Sequence, residues 1–190
     1  MPDTRTSIPQ LVLYPKSVDR IPQDINRLKA LLLDIGFISA TDKLPYYLPG
    51  NEFINLLAFL GCSPEIRLRP EDGDSYCQVV MSDIGDKASC LGFNTTVKPK
   101  CPGCKTNLDQ WQHIPEWKHA HTLLSCSHCD TETELYKLKW RHECGYGRFA
   151  IRIRYIYPHE AVPSETLLSA LENTTGFSWT YCYITQQVTP

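Results

Sequence analysis

Apolar and polar positions along this 190-residue chain fall into segments with two different periods. IPQLVLYP at 8–15 is a short apolar run flanked by prolines, which predicts a strand. In PQDINRLKALLLDIG (22–36), Ile25, Leu28, Leu32 and Ile35 recur at helical spacing, and Gly36 stands where a helix would stop. GNEFINLLAFLG at 50–61 predicts a second helix, with Asn51 as its cap and Gly61 as its stop. EIRLR at 65–69 and SYCQVVMS at 75–82 predict strands on either side of the turn-rich PEDGD, and DIGDKASCLGFNTT at 83–96 predicts a loop.

The last third alternates more clearly. ELYKLKWR at 134–141 and RFAIRIRYIY at 148–157 both show period-2 patterning, with HECGYG between them. Paired as a hairpin with Arg141 opposite Arg148, they set Trp140 against Phe149, Leu138 against Ile151 and Tyr136 against Ile153, with Tyr155 continuing that face. The opposite face then collects Lys137, Lys139, Arg141, Arg148, Arg152 and Arg154; a register shift of one residue would destroy this sorting. A helix over about 164–173 follows, with Ser164 as cap, Glu165 in the first turn and Leu167, Leu168 and Leu171 as its apolar stripe. FSWTYCYI at 177–184 closes the chain as a strand whose Phe177, Trp179, Tyr181 and Tyr183 either join a core or offer a stacking surface for bases.

Composition narrows the class. A hydrophobic share of 42% and a charged share of 21% are those of a globular chain. The longest apolar runs are too short to span a membrane, and MPDTRTSIPQ has no apolar signal-peptide core, so a cytoplasmic location is expected. The net charge of -2 is unevenly spread. Residues 1–96 hold nine basic against twelve acidic side chains, residues 97–156 ten against six, and residues 157–190 none against three. Five of the six histidines lie in the basic middle. Nine cysteines make an odd count, too sparse for a disulfide scaffold. Cys62, Cys77, Cys90, Cys144 and Cys182 sit mostly in apolar surroundings, where a reduced thiol acts as a small hydrophobe.

The other four cysteines form two Cys-x-x-Cys pairs, Cys101/Cys104 in KPKCPGCKTNL and Cys126/Cys129 in LLSCSHCDTET, with 21 residues between them. Each pair lets two thiolates reach one ion from a single tight turn, and two such turns complete a tetrahedron. Lys105 beside Cys104 offsets part of the surplus negative charge of four thiolates. The segment 98–132 resembles the zinc-ribbon group, and the resemblance implies a structural Zn²⁺ held by all four cysteines. Other chemistries also use these residues. A redox CPGC would open a helix, which the unperiodic KTNLDQWQHIPEW does not supply. A catalytic zinc keeps an open position that four cysteines close, while iron, alone or as a cluster, accepts four cysteines as readily. The nearby His113, His119, His121 and His128 have irregular spacing in a polar stretch and read as solvated.

Like charges across a hairpin repel, so the cationic face is either solvated or covered by something acidic: the chain's own flanks, a protein or nucleic acid. No nucleophile elbow, phosphate loop, HExxH or GxGxxG occurs. The sequence therefore predicts an α+β fold with mixed or antiparallel sheet lobes, flanking helices and an inserted four-cysteine ribbon. Its parts would be a lobe at 1–96, the ribbon at 97–132 and a ββαβ lobe at 133–190 packed on the first. The function expected is a non-enzymatic zinc-binding interaction protein, an adaptor or scaffold with a protein partner. A nucleic-acid-binding protein using the basic hairpin 134–157 and the ribbon is the second reading, and an enzyme using Cys144 or an open metal site the third.

Overall fold

The computed structural model describes residues 8–40, 45–60, 66–72, 75–94, 96–109 and 111–185. Within them run β1 (Gln10–Pro15), α1 (Ile25–Asp34), β2 (Ile38–Ser39), β3 (Leu48–Pro49), β4 (Leu57–Phe59), β5 (Gln78–Met81) and β6 (Ser89–Phe93). β7 (Leu123–Ser125), β8 (Glu132–Glu134), β9 (Cys144–Gly147), β10 (Ile151–Arg154), β11 (Ala161–Pro163), α2 (Glu165–Thr175) and β12 (Trp179–Ile184) follow. The class is α+β, and the named strands pair antiparallel throughout.

Local chemistry explains both helices. Asp24 Oδ1 accepts from the backbone N–H of Asn26 (2.8 Å) and Arg27 (3.1 Å), which starts α1. Gly36 takes φ 70°, the left-handed conformation that lets the chain leave the helix without a Cβ penalty. Ser164 Oγ accepts from Leu167 N–H at 3.2 Å to start α2, and Gly176 at φ 77° ends it.

The largest sheet has the order β12-β1-β10-β5, so strands from both ends of the chain alternate within it. One face carries Leu11, Leu13, Val79, Ile151, Ile153 and Tyr183, packed on Leu28 and Leu32 of α1 and Leu167 and Leu171 of α2, all fully or nearly fully buried. Trp179 joins this cluster, with Phe177 and Tyr181 packed against it, so the aromatic stripe of β12 serves the core. The opposite face buries Val12, Ala150, Cys182 and Ile184 beside Tyr14 and Leu91. The small sheet β6–β9 lies next to this face and carries the chain towards a second core built on Trp111, Leu135, Leu138, Trp140, Cys144 and Tyr146. There Trp111 meets Trp140 edge-on at 4.8 Å and Trp117 at 5.2 Å.

Several elements differ from the sequence-based expectation. Residues 51–56 form turns, and Leu57–Phe59 is a strand paired with β11, where a helix over 50–61 was expected. Gly50 approaches Gly36 so closely that an added Cβ would lie 2.1 Å from the Gly36 carbonyl, and Glu52 N–H donates to that carbonyl at 3.0 Å. Tertiary contacts of this kind override the weak propensity of a short helix. Residues 66–69 form no strand, although Cys77 N–H does donate to Arg67 O at 2.8 Å. The expected loop 83–96 contains β6, whose inward positions Cys90 and Gly92 are too small to advertise an alternating pattern.

The hairpin of 134–141 with 148–157 is the main correction. β10 pairs with β1 on one side and β5 on the other, while HECGYG, expected as a turn, supplies the fully buried strand β9. Residues 135–137 form a 3-10 turn, and Leu135, Leu138 and Trp140 face the second core. Alternation specifies which face of a strand is buried and leaves its neighbour open, so β10 satisfies the pattern with β1 equally well. Positive φ at Arg141 (51°) and His142 (65°) turns the chain before β9, and Tyr155 at 63° ends β10.

Candidate metal centre

Two short loops of the same design hold the cysteine quartet. In CPGCKT, Cys101 N–H donates to Thr106 O (2.9 Å) and Lys105 N–H to Cys101 O (3.0 Å). In CSHCDT, Cys126 N–H donates to Thr131 O (3.0 Å) and Asp130 N–H to Cys126 O (2.9 Å). The residue after the second cysteine takes a left-handed conformation in both, Lys105 at φ 64° and Asp130 at φ 54°. The second loop caps the two-stranded β7–β8 sheet, and the first is anchored by the bridges of Lys100 to Asn107 and to Lys139.

The four Sγ atoms all lie within 4.8 Å of one another, and this is the group of metal-ligating side chains that converges among the described residues. Cys101 and Cys129 are 3.7 Å apart at sulfur, as are Cys104 and Cys126. A disulfide would bring sulfurs to about 2.05 Å. Ligands at about 2.3 Å from one ion stand about 3.8 Å apart along a tetrahedral edge, and these two pairs match that spacing. A multi-iron cluster would hold the sulfurs farther apart.

Polar groups around the sulfurs favour thiolates. Thr131 bonds Cys129 through its hydroxyl (Oγ1 to Sγ 3.1 Å) and its backbone, and this pulls the thiol down to about 6. Thr106, whose Oγ1 lies 3.3 Å from Cys104 Sγ, likewise lowers the Cys104 thiol. Backbone hydrogen bonds from His128 and Cys129 also reach Cys126. Desolvation and the neighbouring thiols of Cys101 and Cys104 outweigh them and push it up to about 11. Cys101 and Cys126 are buried and Cys104 and Cys129 exposed, so the quartet sits at the surface with one wall of protein. An added Cβ on Gly103 would lie 2.7 Å from Thr131 Oγ1 and 3.5 Å from Cys129 Sγ, so glycine is what lets the two loops close.

Sequence reasoning missed Thr106 and Thr131. The signal was present as a repeated Cys-x-x-Cys-x-Thr, with each threonine two residues beyond its pair. The histidines stand apart from the quartet. His121 is held between Glu134 (Nδ1 to Oε1 2.7 Å) and Asp19 (Nε2 to Oδ2 2.9 Å), and these bonds raise its pKa. His128 is exposed on the second loop.

The six cations expected on one face occupy two places. Lys137 pairs with Glu134, Lys139 is bridged through its backbone to Lys100 beside the first cysteine loop, and Arg141 is exposed. Arg148 precedes β10, and Arg152 and Arg154 project from it. Cys77 is buried, and burial pushes its thiol up to about 12. Cys144 and Cys182 are likewise buried and shifted upward by desolvation, so both are held as thiols; Cys62 lies outside the described residues. Comparison with protein-family models, with curated proteins and with solved structures found no match for this chain.

Proposed function

We propose that Cys101, Cys104, Cys126 and Cys129 bind one Zn²⁺ as a structural, ribbon-type centre, and that the protein is a non-enzymatic interaction protein built around it. The observation that carries this reading is the convergence of four sulfurs within 4.8 Å of one another, two pairs of them 3.7 Å apart. Four thiolates leave no open coordination position for a substrate, and the polar groups nearest them are threonine hydroxyls that steady thiolates rather than acids or bases that move protons. Partner binding is the role proposed for a centre that shapes a surface without performing a reaction. The scatter of the six cations weakens the nucleic-acid reading, which relied on one continuous basic face.

Elemental analysis of the purified full chain tests the metal: one zinc per chain is expected, with only sulfur neighbours in X-ray absorption. Iron in its place, or no metal, overturns the zinc assignment. Pull-down from lysate with and without nuclease tests the role, because a protein partner survives nuclease and a nucleic acid does not. The protein partner and the cytoplasm remain the expected setting.

A further inference from the structure

The outer face of the central sheet carries two arginines with no carboxylate to balance them. Ile151 and Ile153 of β10 enter the core, so Arg152 and Arg154 project the other way, among Gln10, Val12, Gln78 and Val80 of the neighbouring strands. Arg152 donates from Nη1 to Gln10 Oε1 (3.2 Å) and from Nη2 to the Leu91 carbonyl (2.9 Å), and Arg154 from Nη1 to Gln78 Oε1 (3.2 Å). Among the described residues, no aspartate or glutamate lies within ion-pair distance of either. Two further donors in the same row, Gln10 Nε2 and Arg154 Nε, are buried without an acceptor. Positive charge held in a sheet without a carboxylate beside it is unfavourable until an anion compensates it.

In front of Arg152 lies an open cavity of about 610 Å³, with Lys87 and Arg148 on its wall. Arg148 is set in place by a reciprocal clamp: its Nε donates to Gly85 O (2.9 Å) and Gly85 N–H donates to Arg148 O (2.8 Å). The two terminal nitrogens of its guanidinium have no protein acceptor among the described residues, so they are free to grip a ligand. The exposed Asp83 and Asp86 also line the cavity. Set against Lys87, Arg148 and Arg152, they leave one positive charge in surplus, which favours a bound anion.

We propose that this cavity binds a phosphate group, as free inorganic phosphate or as the terminal phosphate of a small phosphomonoester. Arg148 and Lys87 contact its oxygens, and Arg152 supplies charge from behind. A guanidinium presents two parallel N–H donors at the spacing of two phosphate oxygens, which is why arginine suits this task. The site is separate from the cysteine quartet and stands or falls without it.

Calorimetric titration of the purified full chain with inorganic phosphate and with glycerol phosphate tests the proposal. Saturable one-site binding is expected, accompanied by a ligand-dependent rise in melting temperature. Arg148→Gln and Lys87→Gln, both on the cavity wall and outside the core, should each weaken it by about tenfold, the loss of one charge-assisted contact. Arg152→Gln should weaken it as well, with metal content unchanged in all three variants. Tighter binding of the monoester identifies a phosphorylated small molecule as the ligand, and equal binding identifies the free ion. Absence of saturable binding to either probe overturns the proposal, as does binding that ignores Arg148→Gln and Lys87→Gln. An oligonucleotide that binds here and is not displaced by phosphate would overturn it as well.

Discussion

Cys101, Cys104, Cys126 and Cys129 on one side, and Cys90, Cys144 and Cys182 on the other, are two cysteine groups with nearly equal sulfur spacing in opposite surroundings. The quartet shows pairs at 3.7 Å, and Cys90 and Cys144 stand 3.8 Å apart. In the quartet, threonine hydroxyls and backbone bonds bring Cys129 and Cys104 down towards thiolate, while desolvation and the neighbouring thiols hold Cys126 up. In the trio, desolvation pushes Cys144 and Cys182 up, and nothing of opposite sign reaches Cys144. The trio is also packed shut: an added Cβ on Gly145 would lie 2.7 Å from Cys182 Sγ and 3.0 Å from Tyr14. Proximity of sulfurs alone therefore says little. Donors aimed at the sulfurs and room for an ion between them are what separate a ligand set from a patch of core.

Removing one ligand should divide the two groups most sharply. Cys101→Ser is expected to abolish metal binding and expose residues 97–134 to protease, since coupled metal binding of this kind is worth on the order of 10 kcal/mol. Intact metal content in this variant would remove Cys101 from the ligand set. Gly103→Ala should act more mildly. Its new Cβ would press on Thr131 at the hinge between the loops, and metal affinity should fall about 10- to 100-fold in competition with a chromophoric chelator.

Cys182→Ala, and likewise Cys77→Ala, should cost about 1 kcal/mol of stability in denaturant melts, the cost of a small buried truncation, while metal content stays unchanged. Metal loss there would blur the boundary between ligand and core cysteines.

The smallest effect concerns the fastening between the cysteine module and the segment carrying Asp19. Glu134 and Asp19 raise the His121 pKa above its usual 6.5, so the stabilisation it brings is fully present below that value and fades as pH rises through the raised one. At the acid end it fades again as Glu134 protonates. The pKa of Glu134 is lowered by Lys137 first and His121 second. His121→Gln should therefore lower stability by up to about 0.5 kcal/mol between those limits, because the pair is exposed, and by nothing measurable at alkaline pH. Melting curves at mildly acidic and alkaline pH would show whether that window exists.

Features encoded within a few residues were legible in the chain. α1 and α2 carry their periodicity, caps and terminal glycines locally, and β1 and β12 appear close to where short apolar runs predicted them. The two Cys-x-x-Cys loops belong here too, because each is a self-contained turn whose two sulfurs point one way whatever surrounds it.

What tertiary structure decided is pairing across distance. β10 had an unmistakable buried face, but period-2 alternation cannot choose between an adjacent hairpin strand and β1, some 140 positions upstream in the register Gln10–Arg154. That choice separated Lys137, Lys139 and Arg141 from Arg148, Arg152 and Arg154, and placed the last pair beside a buried glutamine. The strand Leu57–Phe59 exists because β11 offers it hydrogen bonds, and β9 fits where it does because Gly145 lets Cys182 and Tyr14 approach its backbone. The sequence by itself determined which residues can ligate, cap and alternate, since those depend on neighbours a few bonds away. Only the packed chain determined which charges meet and which sulfurs meet one another, since those energies fall off within a few ångströms and the distances are set by the fold.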